Sequence, residues 1–275
     1  MTISFSIIIP AYKSRFLKAC IDSVIVQTYS DWELIIVNDA SPEDIDTIVN
    51  AYQDPRIRYY KNKSNYGAKH LVSQWNHCLS LASKKFVLCI GDDDMLDIHC
   101  LEIYSQLIER YPEIDILHGQ TDIIDENDRL LCHTNPRPVW ESAMSMLYHR
   151  TFSHRKQFIG DFCFRRDALL QNGGFYYLPY AWGSDDISAL QVAETKGISN
   201  TQEVVFYYRD NDASITHHSH VIGKIHAIIL EFFWKYRFLH KPFSNKQDNE
   251  YCSQLKRNLL IHTIKKCYYV IRNAY

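Results

Sequence analysis

The sequence lacks several features that mark specialised classes of protein. It has no block of Lys and Arg and no arginine-rich arm, and its formal net charge is -2, so we expect no nucleic-acid partner. No stretch approaches the ~20 apolar residues that a membrane-spanning helix needs. No G-x-G-x-x-G follows the first predicted strand, which excludes the fingerprint of an NAD-linked enzyme. There is no C-x-x-C pair either.

The N-terminal apolar run is short. Residues 7–9 have no basic region before them and are stopped by Pro10, which is unlike a secretory signal. We therefore expect a cytoplasmic protein, with peripheral contact on the inner face of the membrane left open. The eight cysteines are scattered and most lie in apolar stretches, which favours buried free thiols over disulfides.

The first ~120 residues alternate short apolar runs with helical patterns. Strands are predicted at residues 5–9, 34–37, 57–60, 86–90 and 114–117, and helices at 16–27, 71–81 and 98–111. A further helix is predicted to open at Ser41, as N-cap, and Pro42. This alternation predicts an α/β protein with a mostly parallel sheet and helices on both faces. In such sheets ligands bind beyond the carboxyl ends of the strands.

The pattern changes after residue 120. We predict a turn at 125–128, a helix at 141–149, a strand at 204–208, and helices after Ser219 to the end. The predicted organisation is one domain over residues 1–215, with halves 1–120 and 121–215, followed by a helical C-terminal extension at 216–275.

Three aspartates, Asp92, Asp93 and Asp94, follow the fourth predicted strand. Two unit charges ~4 Å apart cost about 4 kcal/mol at an effective dielectric of 20. A divalent cation relieves such repulsion, and Mg²⁺ or Mn²⁺ commonly takes one or two carboxylates together with substrate phosphates. The alternative is a solvated acidic loop that precedes the next helix.

Polar and aromatic side chains also end other predicted elements. Tyr12 can stack on a flat ring or pack on its own loop, and Asp39 can accept hydrogen bonds from a ligand or cap the next helix. Asp185 and Asp186 follow an aromatic loop and begin a helix, which favours carboxylates; one of them can also act as a general base.

Several short motifs occur together in order. They are residues 6–12, residues 32–41, Asn65 with Gly67, the Trp75-Asn76 pair, the acidic triplet, and Gly173-Gly174-Phe175 followed by an acidic pair; Tyr208-Arg209 with Ser214 is a weaker match. In this order and spacing the chain resembles the family-two glycosyltransferases with the GT-A fold, over roughly residues 4 to 215. The resemblance implies a mixed, mostly parallel sheet with helices on both faces.

The resemblance implies transfer of a sugar, with inversion, from a nucleotide-sugar, usually with Mn²⁺ or Mg²⁺ bound. Residues 1–120 would then be the nucleotide-binding half and 121–215 the acceptor-binding half. By position the resemblance implies contacts to the nucleotide, commonly uracil-based, for Pro10, Ala11, Tyr12, Asp39, Asn65 and Asp92. It assigns the metal to Asp93 with support from Asp94, the catalytic base to Asp185, and leaves Asp186 as an alternative base.

The expected acceptor is a glycan or a lipid-linked sugar. The rings of Tyr180 and Trp182 would offer it flat surfaces, or else pack in the core. The chain departs from the family pattern at Gly91, where an Asp is usual, and at Ser184, where an acidic residue is common. A late histidine that binds the metal would be His217, His218 or His220, unless these form a solvated loop.

The C-terminal extension carries apolar and aromatic residues at helical spacing, with Lys and Arg between them. Such helices can lie on an anionic membrane, or pack on the catalytic domain or a twin subunit, and we favour packing. Two other functions compete with sugar transfer. One is a catalytically inactive sugar- or partner-binding module. The other is a nucleotidyltransferase that makes nucleotide-sugars, which would need a glycine-rich loop where this chain has Pro10.

Overall fold

The computed structural model describes residues 2–211, 220–243 and 245–272. Ten strands form one sheet in these residues. They are β1 (Phe5–Ala11), β2 (Trp32–Asn38), β3 (Ile57–Lys61), β4 (Phe86–Cys89), β5 (Met95–Leu96), β6 (Ile116–Ile124), β7 (Leu130–His133), β8 (Trp140–Glu141), β9 (Phe162–Arg165) and β10 (Ile198–Arg209).

The helices flank this sheet and continue beyond it. They are α1 (Leu17–Ile25), α2 (Ile45–Asn50), α3 (Leu71–Leu81), α4 (Cys100–Arg110), α5 (Ala143–Phe152), α6 (Arg166–Gln171), α7 (Ser184–Ala193), α8 (Val221–Leu239) and α9 (Lys246–Arg272). Short 3₁₀ turns occupy Ala68–His70, Ile159–Asp161 and Pro179–Ala181.

The strand order is β3–β2–β1–β4–β9–β6–β10–β5, with β7 paired to β6 and β8 paired to β10. The ladders β3–β2–β1–β4 and β6–β10 are parallel, while β9 runs antiparallel between β4 and β6. Ile7 and Ile9 belong to one core cluster and Ile8 to the other, because successive side chains of a strand point to opposite faces. The structure confirms the predicted α/β mixed, mostly parallel sheet.

The first strand runs further than its sequence predicts. Pro10 was expected to end it, yet β1 stays in register with β2 as far as Ala11 opposite Asn38. The carbonyl of Ile8 accepts a hydrogen bond from the N–H of Ile90 on the β4 side. Alternate residues of a strand face the same neighbour, so the nitrogen of Pro10 faces the side where β4 has already ended. A residue without an N–H is tolerated there.

The helix after β2 begins later than predicted. Ser41 was expected to cap it, but α2 starts at Ile45, and the side chain of Asp44 accepts a hydrogen bond from the N–H of Thr47. Ser41 instead donates its hydroxyl to the carbonyl of Tyr12, 2.5 Å away, and so ties the loop after β2 to the loop after β1.

Helices α8 and α9 form the described part of the C-terminal extension. They pack against each other, and Trp234, Phe238, Cys252 and Leu255 join the core cluster that contains α3, α5 and α7. Within the described ranges, none of the helices is both long enough and apolar enough to span a membrane. All eight cysteines are free thiols, and six are buried, which agrees with the prediction.

Candidate active site

A cavity of about 700 Å³ lies beyond the carboxyl ends of β1, β2 and β4. This volume is typical of small-ligand sites. Of the predicted site residues, the ones that line it are Pro10, Tyr12, Asp39, Asn65, Asp92, Asp93, Asp94, Tyr180, Trp182, Asp185 and Asp186. Ala11 does not line it, because its side chain is fully buried in the core below. The structure therefore brings together residues from both halves of the predicted domain, while their individual roles stay predictions.

Asp92 holds the loop after β1. Its Oδ2 accepts hydrogen bonds from the backbone N–H groups of Tyr12 at 2.6 Å and Lys13 at 2.7 Å. Burial and the neighbouring charge of Asp93 raise the pKa of Asp92 to about 7, against the opposing effect of the two N–H donors. This carboxylate thus fixes the backbone on which the Tyr12 ring is mounted at the cavity wall.

Asp94 lines the cavity and is also hydrogen-bonded to β10. Its Oδ1 accepts the backbone N–H of Arg209 on β10 at 3.0 Å, and burial and Asp93 raise its pKa well above the usual range. The guanidinium of Arg209 donates to the backbone carbonyl of Asp93 at 2.8 Å. Asp94 therefore joins the acidic loop to β10.

Asp93 is the member of the triplet that remains partly exposed in the cavity. Its Oδ2 accepts a hydrogen bond from Nδ2 of Asn211 at 2.8 Å and lies 3.7 Å from Nζ of Lys13. A Cβ at Gly91 would come within 2.8 Å of both the Asp93 and the Asp94 carboxylates. The glycine therefore leaves room for both side chains to fold back over the loop.

The three carboxylates do not converge on one point. No group of three or more His, Cys, Asp or Glu side chains in the described part of the chain could hold a metal ion by itself. His217, His218 and Ser214 lie outside the described residues. His220 is exposed at the start of α8 and does not line the cavity.

Asp39 organises the opposite wall. Both of its oxygens lie 3.1 Å from the backbone N–H of Tyr66, and Oδ1 also accepts from Nδ2 of Asn62 at 2.8 Å. Asn65, between those two residues, accepts the N–H of Gly67 with its side-chain oxygen. Asp39 therefore holds the loop that carries Asn65 instead of capping the helix after β2.

The neighbouring acids Asp185 and Asp186 have different surroundings. Asp186 is buried; its carboxylate accepts from Nε of Arg150 at 3.1 Å and from Nε2 of Gln157 at 2.6 Å. Burial alone would raise the pKa of Asp186, but Arg150, Lys235 and Lys266 outweigh it and lower that pKa to about 2. Asp186 is therefore a permanently charged partner of Arg150.

Asp185 faces the cavity and, among the described residues, receives no hydrogen bond from a side chain. Burial and repulsion from Asp186 raise its pKa to about 7, while Arg150 lowers it. A carboxylate that titrates near neutral pH in a cleft has the properties of a general acid or base. The preceding Ser184 is fully buried, and its Oγ accepts the N–H of Leu178, so it anchors the aromatic loop.

The C-terminal helices reach this site, although no sequence pattern predicts that they do. Oε1 of Glu231 lies 2.6 Å from Nζ of Lys235, and Oε2 lies 2.6 Å from Nζ of Lys266, which lines the cavity. Glu231 is almost fully buried against Gly183, where a Cβ would be 3.2 Å from its Cδ. Glu231 therefore joins α8 and α9 to the loop that precedes Asp185.

Two aromatic residues form the wall next to Asp185. Tyr180 and Ala181 adopt the left-handed backbone region, with φ of 60° and 55°. The Tyr180 ring packs directly on Gly223 of α8, and the indole of Trp182 lies 4.7 Å from Nζ of Lys224. The Trp182 N–H is buried and has no acceptor among the described residues.

The fold is similar to those of solved proteins. TarS of S. aureus, crystallised with UDP-GlcNAc, has a similar fold: the TM-score is 0.71 at 16% identity, over 93% of this chain and 72% of that one. The mannosyltransferase PcManGT of Pyrobaculum calidifontis, in complex with GDP-Man and Mn²⁺, gives a TM-score of 0.59 at 14% identity, over 98% and 73% of the two chains. These likenesses establish a fold of the GT-A glycosyltransferase type.

Sequence relatives agree with the fold. WfgD of Escherichia coli, a UDP-Glc:alpha-D-GlcNAc-diphosphoundecaprenol beta-1,3-glucosyltransferase, is 31% identical over 123 residues, which are 44% of this chain and 47% of that protein. The chain spans less than half the length of the first curated relatives that it matches. The family model described as glycosyl transferase family 2 matches residues 6–174. Because that match covers more than half of the chain, the chain belongs to glycosyl transferase family 2.

Proposed function

We propose that the protein transfers a sugar from a nucleotide-sugar, with a UDP-sugar as the expected donor, to an acceptor hydroxyl with inversion. The observation that carries the proposal is the position of Asp185. This carboxylate titrates near neutral pH and shares one cavity with the acidic triplet and with Asp39. A base and a nucleotide-binding wall thus face the same space, as a single displacement requires.

Asp185 is the proposed base because the neighbouring Asp186 is already paired with Arg150. Asp186 is held by Arg150 and Gln157 and has a pKa of about 2, so it is a weak proton acceptor. Asp185 lacks such partners, and its pKa of about 7 suits a group that must take a proton near neutral pH. Asp186 then holds Arg150 in place beside the base.

The transfer step follows from these roles. Asp185 accepts the proton of the acceptor hydroxyl while that oxygen attacks the anomeric carbon from the side opposite the diphosphate. The new bond forms between the acceptor oxygen and the anomeric carbon. The bond from that carbon to the diphosphate oxygen breaks, and its electron pair leaves with the nucleoside diphosphate. Displacement from the opposite side inverts the anomeric configuration.

The nucleotide would lie along the wall built by β1 and β2. The Tyr12 ring, mounted by Asp92, offers a flat surface to the base, and Asp39 and Asn65 offer acceptors beside it. Asp92 is also available to the ribose. The expectation of uracil is supported by the UDP-GlcNAc bound to TarS and by the UDP-Glc in the name of WfgD.

The residues present fit a divalent metal ion that the donor helps to bind. Mg²⁺ usually takes one or two carboxylates plus substrate phosphates, and Asp93 is a carboxylate that faces the cavity. Asp93 would hold Mn²⁺ or Mg²⁺, with Asp94 fixing the loop behind it through Arg209. When bound, such an ion neutralises charge on the departing diphosphate. Lys13, 3.7 Å from Asp93, supplies a fixed positive charge to the same region.

The acceptor would occupy the wall of Tyr180 and Trp182. Aromatic faces pack on sugar rings, and both Tyr180 and Trp182 line the cavity. We expect a glycan or lipid-linked sugar acceptor in polysaccharide or glycan biosynthesis, and the diphosphoundecaprenol-linked substrate in the name of WfgD supports this class.

Two other functions remain to be separated from sugar transfer. A nucleotidyltransferase is disfavoured because Pro10 and Tyr12, not a glycine-rich phosphate loop, follow the first strand. A catalytically inactive binding module would have no need of the raised pKa of Asp185. Gly91 and Ser184 depart from the family pattern, and these two departures would favour such a binding module.

One experiment tests all three. Purified protein is incubated with UDP-Glc, UDP-Gal, UDP-GlcNAc and GDP-Man, each with Mn²⁺, with Mg²⁺ or with EDTA, and released nucleoside diphosphate is measured. Sugar transfer predicts metal-stimulated release from one donor. Thermal stabilisation by a donor without any release would establish the binding module instead. Formation of a nucleotide-sugar from a sugar phosphate and a nucleoside triphosphate would establish the nucleotidyltransferase.

A further inference from the structure

The two C-terminal helices expose large apolar side chains on the faces that do not pack on the domain. On α8 these are Ile222, Ile229, Phe233 and Tyr236; on α9 they are Leu260, Ile261, Ile264, Tyr268, Tyr269 and Ile271. Tyr268 and Ile222 are 64% and 71% exposed. Single exposed apolar residues are ordinary, but a run at helical spacing along two adjoining helices is a surface that a partner can cover.

Helix geometry separates these residues from the packed ones. On α9, Leu255, Leu259 and Val270 face the domain together with Lys266, whereas Ile264 and Tyr268 lie about half a turn away. On α8, Glu231 and Phe238 face inward, and Phe233 lies on the opposite side. Each helix therefore uses one face to complete the catalytic domain and leaves a second apolar face uncovered.

Charge identifies the partner. Residues 216–275 contain ten Lys and Arg against three Asp and Glu, a formal charge of +7. The whole chain carries -2, so residues 1–215 carry -9. Of the three acids, Glu231 and Asp248 are buried, whereas Lys256, Arg257, Lys265 and Arg272 are exposed on α9. The cationic charge is thus concentrated on the helices that carry the uncovered apolar faces.

We propose that α8 and α9 dock on an anionic lipid surface, with the apolar side chains entering the interface and the basic side chains contacting the headgroups. Exposed Lys and Arg interleaved with Tyr, Phe and Ile are the composition of helices that lie in a membrane interface. A second copy of the chain fits less well, because it would bring two such cationic surfaces together.

Docking in this way has a consequence for the site. The same helix α9 that presents Tyr268 to the lipid carries Lys266 to the wall of the catalytic cavity. When α8 and α9 lie on the lipid surface, one face of α9 would contact the lipid while another face of the same helix lines the site. This would bring a membrane-embedded acceptor close to Asp185, a step that rests on the proposed function, whereas the docking itself does not.

The test is sedimentation of the full chain with vesicles, without donor or metal. We expect binding to vesicles of phosphatidylcholine mixed with phosphatidylglycerol, little binding to phosphatidylcholine alone, and weakening by added salt. The double variant Ile264→Ser/Tyr268→Ser should bind the mixed vesicles at least about tenfold more weakly, because membrane affinity grows with buried apolar area.

Leu130→Ser/Leu131→Ser is the matched control, since these side chains are 50% and 54% exposed on β7, away from the helices. It should bind vesicles as the wild type does. Lys256→Glu/Arg257→Glu is a second variant, which should lose the preference for anionic lipid. Equal binding by Ile264→Ser/Tyr268→Ser and the wild type would overturn the proposal. So would a stable dimer, seen by sedimentation equilibrium, that dissociates in this variant and does not bind vesicles.

Discussion

Nζ of Lys266 lies 2.6 Å from Oε2 of Glu231, and this contact ties the last described helix to the cavity beyond the strand ends. Glu231 accepts a second ammonium, that of Lys235, also at 2.6 Å, and packs against Gly183 just before α7. Burial would raise the pKa of Glu231, but the two lysines outweigh burial and lower it. The C-terminal helices are therefore part of the site's framework.

Glu231→Ala should destabilise the protein strongly. It leaves the ammonium of Lys235, largely shielded from water, without its counter-charge, and removing one partner of a buried ion pair costs about 3–5 kcal/mol. The measurement is the free energy of unfolding from urea titration. Glu250→Ala on α9 is the control, because Glu250 and its partner Lys246 are exposed and 4.0 Å apart. Similar losses in both variants would contradict the framework role of Glu231.

Asp185→Asn should abolish sugar transfer and leave donor binding nearly unchanged. An amide cannot take the acceptor proton, and loss of general-base catalysis typically costs about 10²–10⁴ in rate. Turnover and donor-induced thermal stabilisation are measured side by side. Glu194→Gln, just after α7 and paired with Lys241 outside the cavity, should keep wild-type turnover. Wild-type turnover in Asp185→Asn would show that another residue is the base.

The rate of transfer should fall as the pH drops through about 7. The proposed base Asp185 would act in its ionised form. Its pKa is raised to about 7, so the ionised fraction decreases on the acid side of that value. Arg150 lowers this pKa, so Arg150→Gln should move the acid limb of the kcat/KM profile to higher pH. Lys241→Gln, outside the cavity, should leave the limb in place. An unmoved limb in Arg150→Gln would disprove the coupling between Arg150 and the base.

Asp93→Asn should weaken binding of the nucleoside diphosphate and remove its dependence on Mn²⁺. The amide keeps the size of the side chain and loses the charge that a metal ion requires. We expect at least about a tenfold rise in the Kd of UDP in the presence of Mn²⁺, or about 1.4 kcal/mol. Asp97→Asn serves as control, because Asp97 accepts the Tyr207 hydroxyl at 3.0 Å and does not line the cavity. An unaltered Mn²⁺ dependence in Asp93→Asn would assign the metal to a neighbour.

The sequence predicts which residues at the strand ends come together in the cavity. The carboxyl ends of parallel strands meet at one edge of a sheet, so residues that follow separate apolar runs, such as Tyr12, Asp39 and Asp93, are brought together. The residue types at the strand ends are enough to predict the lining of the cavity, because the parallel strands position those residues.

The sequence does not predict the partners of the acidic residues. Asp185 and Asp186 are adjacent and chemically identical, and their difference arises from the ~100° turn between successive helix positions. That turn directs Asp186 to Arg150 and Gln157, which are contributed by α5 and by the loop that follows it. In the sequence, Lys266 has the pattern of a basic residue on the exposed face of a helix. Its place in the cavity depends on how α9 packs, which local periodicity does not encode.

Gly223→Ala should impair acceptor binding through Tyr180. In most helix interiors Ala stabilises relative to Gly by roughly 0.5–1 kcal/mol, but a methyl group at this position of α8 would overlap the Tyr180 ring. Tyr180 already adopts a φ of 60°, so its backbone has little freedom to move aside. We expect lower stability and a raised acceptor KM, with donor-induced thermal stabilisation unchanged. His226→Ala, exposed one turn further along α8, is the control and should keep both properties. A Gly223→Ala protein that is more stable than the wild type and keeps its acceptor KM would show that Tyr180 does not shape the acceptor wall.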